Sequence, residues 1–182
     1  MTTLRADAAL RRDQILDAAD AVFAERGITA PLDLVVSKAG VGRATLYRNF
    51  PDRAALVEAL FGRALDTLEA HGAHGDVFAL VELAALRLVE SPAIADYWRA
   101  LAPGDPAAQA ARELLARCFL ALLAAAQQAG ACRADLRPGD LLLAHGMLGA
   151  ALSGSTPARR RALARRALDL IRTGLAGPAG PS

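Results

Sequence analysis

The segment from Val41 to Phe50 combines an apolar seam with a polar face at helical spacing. Val41, Leu46 and Phe50 form the seam, because Leu46 and Phe50 are one helical turn apart. The polar side chains between them are Arg43, Thr45, Tyr47, Arg48 and Asn49. Arginines can read guanine edges, and hydroxyls and amides can bind phosphates. This mixture predicts a short helix that lies in a DNA groove.

The flanking residues predict a helix-turn-helix around this segment. Pro31–Lys38 has the pattern of one short helix that begins at Pro31, and Gly40 can adopt the left-handed turn that follows it. Upstream, apolar residues at helical spacing end at Gly27, a typical stop. Downstream, Asp52 is a candidate N-cap for a further helix. We therefore predict a three-helix DNA-binding unit over residues 1–53 that leads into a fourth helix.

The order and spacing of these residues resemble the amino-terminal domain of the TetR/AcrR family of transcriptional regulators, over about the first third of the chain. The matching pattern is Arg12-x-x-Ile15-Leu16-x-Ala18-Ala19-x-x-x-Phe23-x-x-x-Gly27, followed by Ala39-Gly40-Val41-Gly42-x-x-Thr45-Leu46-Tyr47-x-x-Phe50-Pro51-Asp52-Arg53-x-x-Leu56.

The resemblance implies that the corresponding helix faces DNA. In the family, the positions of Thr45, Tyr47 and Asn49 mostly bind phosphate, and those of Arg43 and Arg48 can reach bases. Arg53 stands where the family commonly has a lysine that contacts the DNA backbone. The full set of predicted DNA-binding residues is Lys38, Arg43, Ala44, Thr45, Tyr47, Arg48, Asn49 and Arg53.

Composition indicates an all-α protein, since 54% of residues are hydrophobic and strand-like alternation is missing. Start and stop signals predict further helices at 52–70, 76–90, 92–101, 106–129, 138–152 and 157–175, about nine in total. We expect a second helical domain for ligand binding and dimerisation over 54–176 and a flexible tail at 177–182. Residues 1–53 carry eight basic and seven acidic residues, so bulk charge does not itself indicate DNA binding.

The helices predicted at 138–152 and 157–175 are candidates for a dimer interface, as in the four-helix bundle that the resemblance implies. Small residues would allow close approach, and leucines would supply apolar surface. The predicted interface residues are Gly146, Leu148, Gly149, Leu152, Leu163, Ala167, Leu170 and Ile171. The alternative is that this stripe packs only within its own subunit.

A ligand cavity would lie among the helices at 76–90, 92–101, 106–129 and 138–152. Its candidate residues are Phe61, Phe78, Arg87, Tyr97, Trp98, Phe119, His145 and Met147. Each of these could instead be ordinary core or a solvated charge. A protein without such a cavity would be a constitutive DNA-binding protein.

A metal-dependent enzyme is the remaining alternative, and its support is weak. His71 and His74 lie in a Gly-rich connection without further ligands nearby, and no nucleophile–base pair or phosphate loop is present. Cys118 and Cys132 are read as reduced thiols, with a redox role as the alternative. Because Met1–Arg12 is polar and precedes the first helix, we expect no signal peptide.

We thus predict a homodimeric, cytoplasmic repressor that binds a pseudo-palindromic DNA operator and responds to an unidentified small-molecule effector. We expect no cofactor, no metal, no enzymatic activity and no membrane partner.

Overall fold

A computed structural model describes residues 2–73, 76–102, 104–148 and 156–176. In these ranges the chain is helical, apart from turns and one isolated β-bridge between Cys132 and Ala176. The helices are α1 (Thr2–Arg26), α2 (Leu32–Ala39), α3 (Arg43–Asn49), α4 (Arg53–Gly72), α5 (Val77–Glu90), α6 (Pro92–Ala100), α7 (Pro106–Gln128), α8 (Pro138–Met147) and α9 (Pro157–Leu175). The all-α prediction is confirmed, with nine helices in the described ranges.

Side-chain caps begin several helices where the sequence predicted a start. The Asp52 carboxylate accepts the Ala55 N–H at 2.8 Å, and Asp76 and Asp105 likewise accept main-chain N–H groups at the starts of α5 and α7. Thr156 Oγ1 accepts an N–H of the first turn of α9 at 3.2 Å. Each cap satisfies a donor that has no partner within the helix, which is why these starts are readable locally.

The predictions differ from the structure at the ends of the first two helices. α1 begins at Thr2, so the residues expected to precede it are helical; their alanines and arginines are good helix formers. Pro31 is the N-cap of α2 rather than its first helical residue, because its ψ of 133° is extended. The predicted continuation of α8 to residue 152, which includes Gly149 and Leu152, and the predicted tail at 177–182 lie outside the described residues.

The chain forms two compact units, and the predicted division into functional domains after residue 53 stays a prediction. The first unit extends to Arg63 and also includes Ser91–Ala100, and the second comprises Ala64–Glu90 and the chain from Leu101 onward. In the first unit α1 packs against α2 and α6, and α2 packs against α3. The start of α4 belongs here because Leu56 and Leu60 are fully buried, as is Phe23 of α1.

In the second unit α5 packs against α7, α8 and α9, and α7 packs against α8. Its core contains Leu80, Leu115, Phe119 and Leu141, with the inner faces of the other helices around them. Glycine allows a close approach at Gly72, where an added Cβ would lie 2.8 Å from Cys118 Cβ. None of the helices in the described ranges is long and apolar enough to cross a membrane.

Candidate functional site

The turn between α2 and α3 has the geometry that the sequence predicted. Gly40 ends α2 with φ 64°, a left-handed conformation that other residues rarely adopt. Its N–H donates to Ser37 O at 3.3 Å, and the next N–H donates to Val36 O. The chain then extends through Gly42 and enters α3 at Arg43. The two short helices and this tight turn form a helix-turn-helix.

α3 presents a polar outer face over a buried apolar side. Leu46 and Phe50 of the predicted seam are buried, with 0% and 1% exposure, whereas Val41, its third residue, is half-buried. Tyr47 is 50% exposed, an unusual position for a large aromatic side chain, and Ala44 and Arg48 are exposed beside it. The packed side fixes the orientation of the helix, so the outer face is available to a partner.

Polar contacts within α3 link several of the predicted DNA-binding residues to one another. Arg48 Nη2 donates to Thr45 Oγ1 at 3.2 Å, and Asn49 Nδ2 donates to the Thr45 main-chain oxygen at 2.8 Å. Thr45 and Asn49 are half-buried, whereas Arg48 is exposed. Arg48 therefore lies further out than either of them.

Two other predicted DNA-binding cations form ion pairs on the protein surface. Arg43 Nη2 lies 2.5 Å from Asp33 Oδ2 in the first turn of α2. Lys38 Nζ lies 3.3 Å from Glu25 Oε1 of α1. All four side chains are more than two-fifths exposed, so water and solution ions screen these pairs. The two ion pairs therefore contribute little to folding stability.

Arg53 holds main-chain groups instead of projecting from the surface. It is half-buried, and its guanidinium donates to Ile28 O and, at 2.7 Å, to Ala30 O in the connection between α1 and α2. Its Cζ lies 5.6 Å from the centre of the Phe23 ring. These contacts position the helix-turn-helix against the start of α4. Contact of Arg53 with DNA stays a prediction.

Sequence reasoning missed the roles of Arg12 and Asp33. Arg12 Nη1 donates to Asn49 O at 3.3 Å, and its Cζ lies 4.4 Å over the Phe50 ring, so it joins α1 to the end of α3. Asp33 was readable only as an acidic residue in the first turn of a helix, which is common. The pairing with Arg43 depends on the angle between α2 and α3, which no local pattern contains.

The exposed apolar face of the second unit differs in part from the predicted dimer interface. Leu143 and Met147 of α8 and Leu170 of α9 are 65%, 61% and 58% exposed. They line a groove of about 440 Å³ between these helices. The predicted Leu148 is buried at 2% exposure within the core of its own unit and therefore has no surface to offer a partner.

The other predicted interface residues divide between surface and core. Ala167 and Ile171 are half-buried against the main core, and Leu163 packs against a small cluster of Val89 and Ala164. Gly146 is exposed on α8. Leu170 and Ile171 are adjacent in α9, but Leu170 faces outward and Ile171 faces the core. Only part of the predicted stripe is therefore on the surface.

The predicted pocket residues are not brought together in one cavity of the second unit. Phe61 and Tyr97 belong to the first unit, where their ring centres are 5.1 Å apart. Phe119 is fully buried core, and Met147 lies on the exposed face of α8. The side chain of Trp98 lies outside the described residues.

Phe78 is a predicted pocket residue that lines two cavities. One cavity, of about 320 Å³, lies between α5 and α9 and is also lined by Glu82, Arg165 and Arg172. Another, of about 490 Å³, lies between α5 and the carboxyl end of α7. Arg172 Cζ stands 5.3 Å over the Phe78 ring, and both residues line each of the two cavities.

Arg87 and His145 each bury a nitrogen atom that has no hydrogen-bond partner in the described part of the second unit. These atoms are Arg87 Nε and His145 Nδ1, and His71 Nε2 is a third. His145 is 8% exposed, and burial lowers the pKa of its imidazole below the usual 6.5 because the charged form loses hydration. A neutral His145 can donate or accept one hydrogen bond at Nδ1.

The two thiols lie in environments that disfavour the thiolate. Cys118 and Cys132 are both buried, and burial raises the pKa of each. Within the ranges that the structure covers, no group of three or more His, Cys, Asp or Glu side chains could hold a metal ion. His71 is the last but one residue of α4, and His74 lies outside these ranges.

Comparison with known proteins relates both units to one family. Residues 15–60 match the family described as bacterial regulatory proteins, tetR family, and residues 78–177 match the SbtR-like transcriptional regulator C-terminal domain. No curated protein matches the sequence.

Solved structures agree with these matches. A TetR transcriptional regulator from Streptomyces coelicolor is 36% identical, with 92% of this chain and 99% of that chain covered and a TM-score of 0.69. A TetR regulatory protein from Mycobacterium vanbaalenii is 30% identical, with 95% and 99% covered and a TM-score of 0.66. With a helix-turn-helix whose outer face carries Tyr47 and Arg48, the chain belongs to the TetR family and is a DNA-binding transcriptional regulator.

Proposed function

We propose that the protein is a homodimeric repressor that binds an operator through α3 and releases it when a small-molecule effector binds the second unit. This proposal rests on the exposure of Tyr47 and Arg48 on α3. The other side of this helix is anchored by buried Leu46 and Phe50. A rigid helix with an exposed polar face fits the major groove, which admits one α-helix. Because its partner would be DNA, we infer a cytoplasmic location.

The residues of α3 divide between base and phosphate contacts. The first residues of a recognition helix meet base edges, so Arg43 would read bases and Ala44 would permit close approach. Arg48 is exposed on the same helix and would reach a base or the far strand. Tyr47 and Thr45 would donate to phosphates, as would Asn49 and Lys38, and such contacts set the position of the protein without reading sequence.

A second copy of the chain would cover the exposed face formed by Leu143, Met147 and Leu170. Exposed apolar residues of this size on neighbouring helices are typical of an interface. A two-fold dimer would place two α3 helices on half-sites about one DNA turn apart. Two half-sites give far tighter binding than one short helix.

The effector would bind buried nitrogen atoms that lack a partner, with His145 in the tautomer that carries its hydrogen at Nδ1. An unpaired buried polar group costs about 1–3 kcal/mol, so Arg87 Nε and His145 Nδ1 favour a ligand with oxygen acceptors, such as a carboxylate or a carbonyl. A differential affinity of a few kcal/mol between the DNA-bound and released states would suffice for release.

Selection from a random DNA pool, together with mass measurement of the complex, tests the DNA-binding proposal. We expect a two-fold-symmetric consensus bound by two chains. Leu143→Glu should give a monomer with weak operator binding, while Leu120→Glu, a change at a residue 61% exposed on α7, should leave both unchanged. The proposed interface would be refuted if the wild-type complex contained only one chain on the DNA, or if the two variants had equal effects.

The effector proposal is tested by thermal-shift screening of small carboxylates and carbonyl compounds. A true effector should raise the melting temperature and release DNA, and Arg87→Met should abolish both effects. Arg117→Met, a change at an exposed arginine of α7, is the control. If the compound still released DNA from the Arg87→Met variant, the effector would bind elsewhere. If no compound changed the operator affinity, the protein would bind DNA constitutively.

A further inference from the structure

The ion pair between Asp33 and Arg43 joins the two helices of the helix-turn-helix on their outer surface. Asp33 Oδ2 and Arg43 Nη2 are 2.5 Å apart, and the two side chains are 58% and 69% exposed. Ion pairs with this exposure contribute little to folding stability. Folding stability therefore does not account for this ion pair, and its effect is expected at the surface on which it lies.

Asp33 stands where a negative charge would oppose DNA binding. In a helix-turn-helix, the first helix crosses the DNA backbone, and the start of the second meets base edges. The amino terminus of α2 would attract phosphate through its dipole and free N–H groups. The Asp33 carboxylate in this first turn counters that attraction.

An arginine at the start of a recognition helix has two classes of partner, phosphates and bases. Phosphates are present at every sequence, so an arginine that turns to a phosphate adds affinity without discrimination. The contact with Asp33 uses Nη2 of Arg43, and the guanidinium retains further N–H groups that can donate to guanine O6 and N7.

We propose that Asp33 is a specificity-determining residue that positions Arg43 for base reading and keeps it from phosphates. This inference rests on the proposed DNA contact of α3. Its consequence is that removal of the Asp33 charge strengthens binding to any duplex and weakens discrimination between sequences. The charge balance of residues 1–53, only one positive charge in excess, is consistent with a surface that limits non-specific affinity.

The experiment compares wild type with Asp33→Asn on a selected operator and on a scrambled duplex over a range of salt concentrations. Asp33→Asn should bind the scrambled duplex about fivefold to tenfold more tightly, with the ratio of the two affinities reduced to match. A new phosphate contact of Arg43 should steepen the slope of log affinity against log salt by about one.

Asp17→Asn is the matched control. Asp17 forms an ion pair with Arg63 in the same unit, with 2.6 Å between Oδ1 and Nη1, and the substitution removes the same charge. It should change the affinities for both duplexes by the same factor. Asp33→Glu, which keeps the charge, should retain most of the discrimination.

A double-mutant comparison tests whether Asp33 acts through Arg43. In an Arg43→Ala background, Asp33→Asn should no longer change the ratio of the two affinities. An unchanged ratio in Asp33→Asn, or an effect that persists without Arg43, would overturn the assignment of Asp33 while wild-type operator binding still stood. If the wild type bound neither duplex, the proposed function and this inference would both be overturned.

Discussion

Arg12 of α1 donates from Nη1 to the main-chain oxygen of Asn49, the last residue of α3, over a distance of 3.3 Å. The same guanidinium lies over the Phe50 ring that follows the helix. The carboxyl end of α3 is thus held by α1 from outside, while Leu46 holds it from inside. The orientation of the exposed face depends on both contacts.

Loss of the Arg12 side chain should weaken DNA binding without changing base preference. Arg12→Ala removes the contact that orients α3, so affinities for all duplexes should fall severalfold, by about 1 kcal/mol. Arg11→Ala removes the same charge from an exposed neighbour on α1 and is the control. Equal losses in the two variants, measured by fluorescence anisotropy, would show that only charge matters.

Replacement of Arg53 should reduce stability as well as DNA binding. Its two hydrogen bonds to Ile28 O and Ala30 O are charge-assisted, and we expect Arg53→Lys to cost about 2 kcal/mol because one ammonium cannot reach both carbonyls. Urea unfolding gives this value directly. A variant as stable as wild type would mean that Arg53 acts through its charge alone.

A methyl group at Gly72 should destabilise the second unit. The added Cβ would lie 2.8 Å from Cys118 Cβ and 3.0 Å from its Sγ, so Gly72→Ala should cost about 1–3 kcal/mol. Gly62→Ala in the same helix meets nothing within 4 Å and should stabilise the protein by about 0.5–1 kcal/mol. Opposite signs in thermal unfolding are the expected result, and equal shifts would contradict the close packing of α4 on α7.

The buried imidazole of His145 should make stability depend on pH. Its pKa in the folded protein is lowered by burial, so the unfolded chain takes up a proton first as the pH falls. The neutral form of His145 contributes its full stability above about pH 6.5, the usual pKa of histidine. This contribution is lost as the pH falls from there towards the lower pKa of His145 in the folded protein.

The difference in melting temperature between wild type and His145→Gln measures this effect between pH 8 and pH 5. The wild type should lose more stability on acidification than the variant does. Parallel curves for the two proteins would show that His145 does not carry the dependence.

The helices were predictable because their signals are local, whereas the exposed apolar face of the second unit was not. Asp52 and Thr156 cap α4 and α9 through bonds within one turn, which a sequence pattern contains. Leu143 and Leu148 are both leucines in or next to α8, yet one is 65% exposed and the other 2%. Which of them faces inward depends on how α8 packs against α7 and α5, and sequence spacing alone does not determine this.

The same limit applies at the DNA-binding surface. The exposed positions of Tyr47 and Arg48 followed from the seam of Leu46 and Phe50, because helix periodicity relates them. The internal contacts of Arg53 did not follow, since its carbonyl partners precede it by more than twenty residues. Long side chains can reach several partners, and only the folded arrangement selects one.

The most direct test is the affinity of a Tyr47→Phe, Arg48→Ala double variant for the selected operator, measured by fluorescence anisotropy beside wild type with unfolding curves for both. Because the two side chains lie on the exposed face of α3, we expect an unchanged fold and a loss of at least about 2 kcal/mol in binding. Wild-type affinity in this variant would contradict the claim that this face of α3 binds DNA.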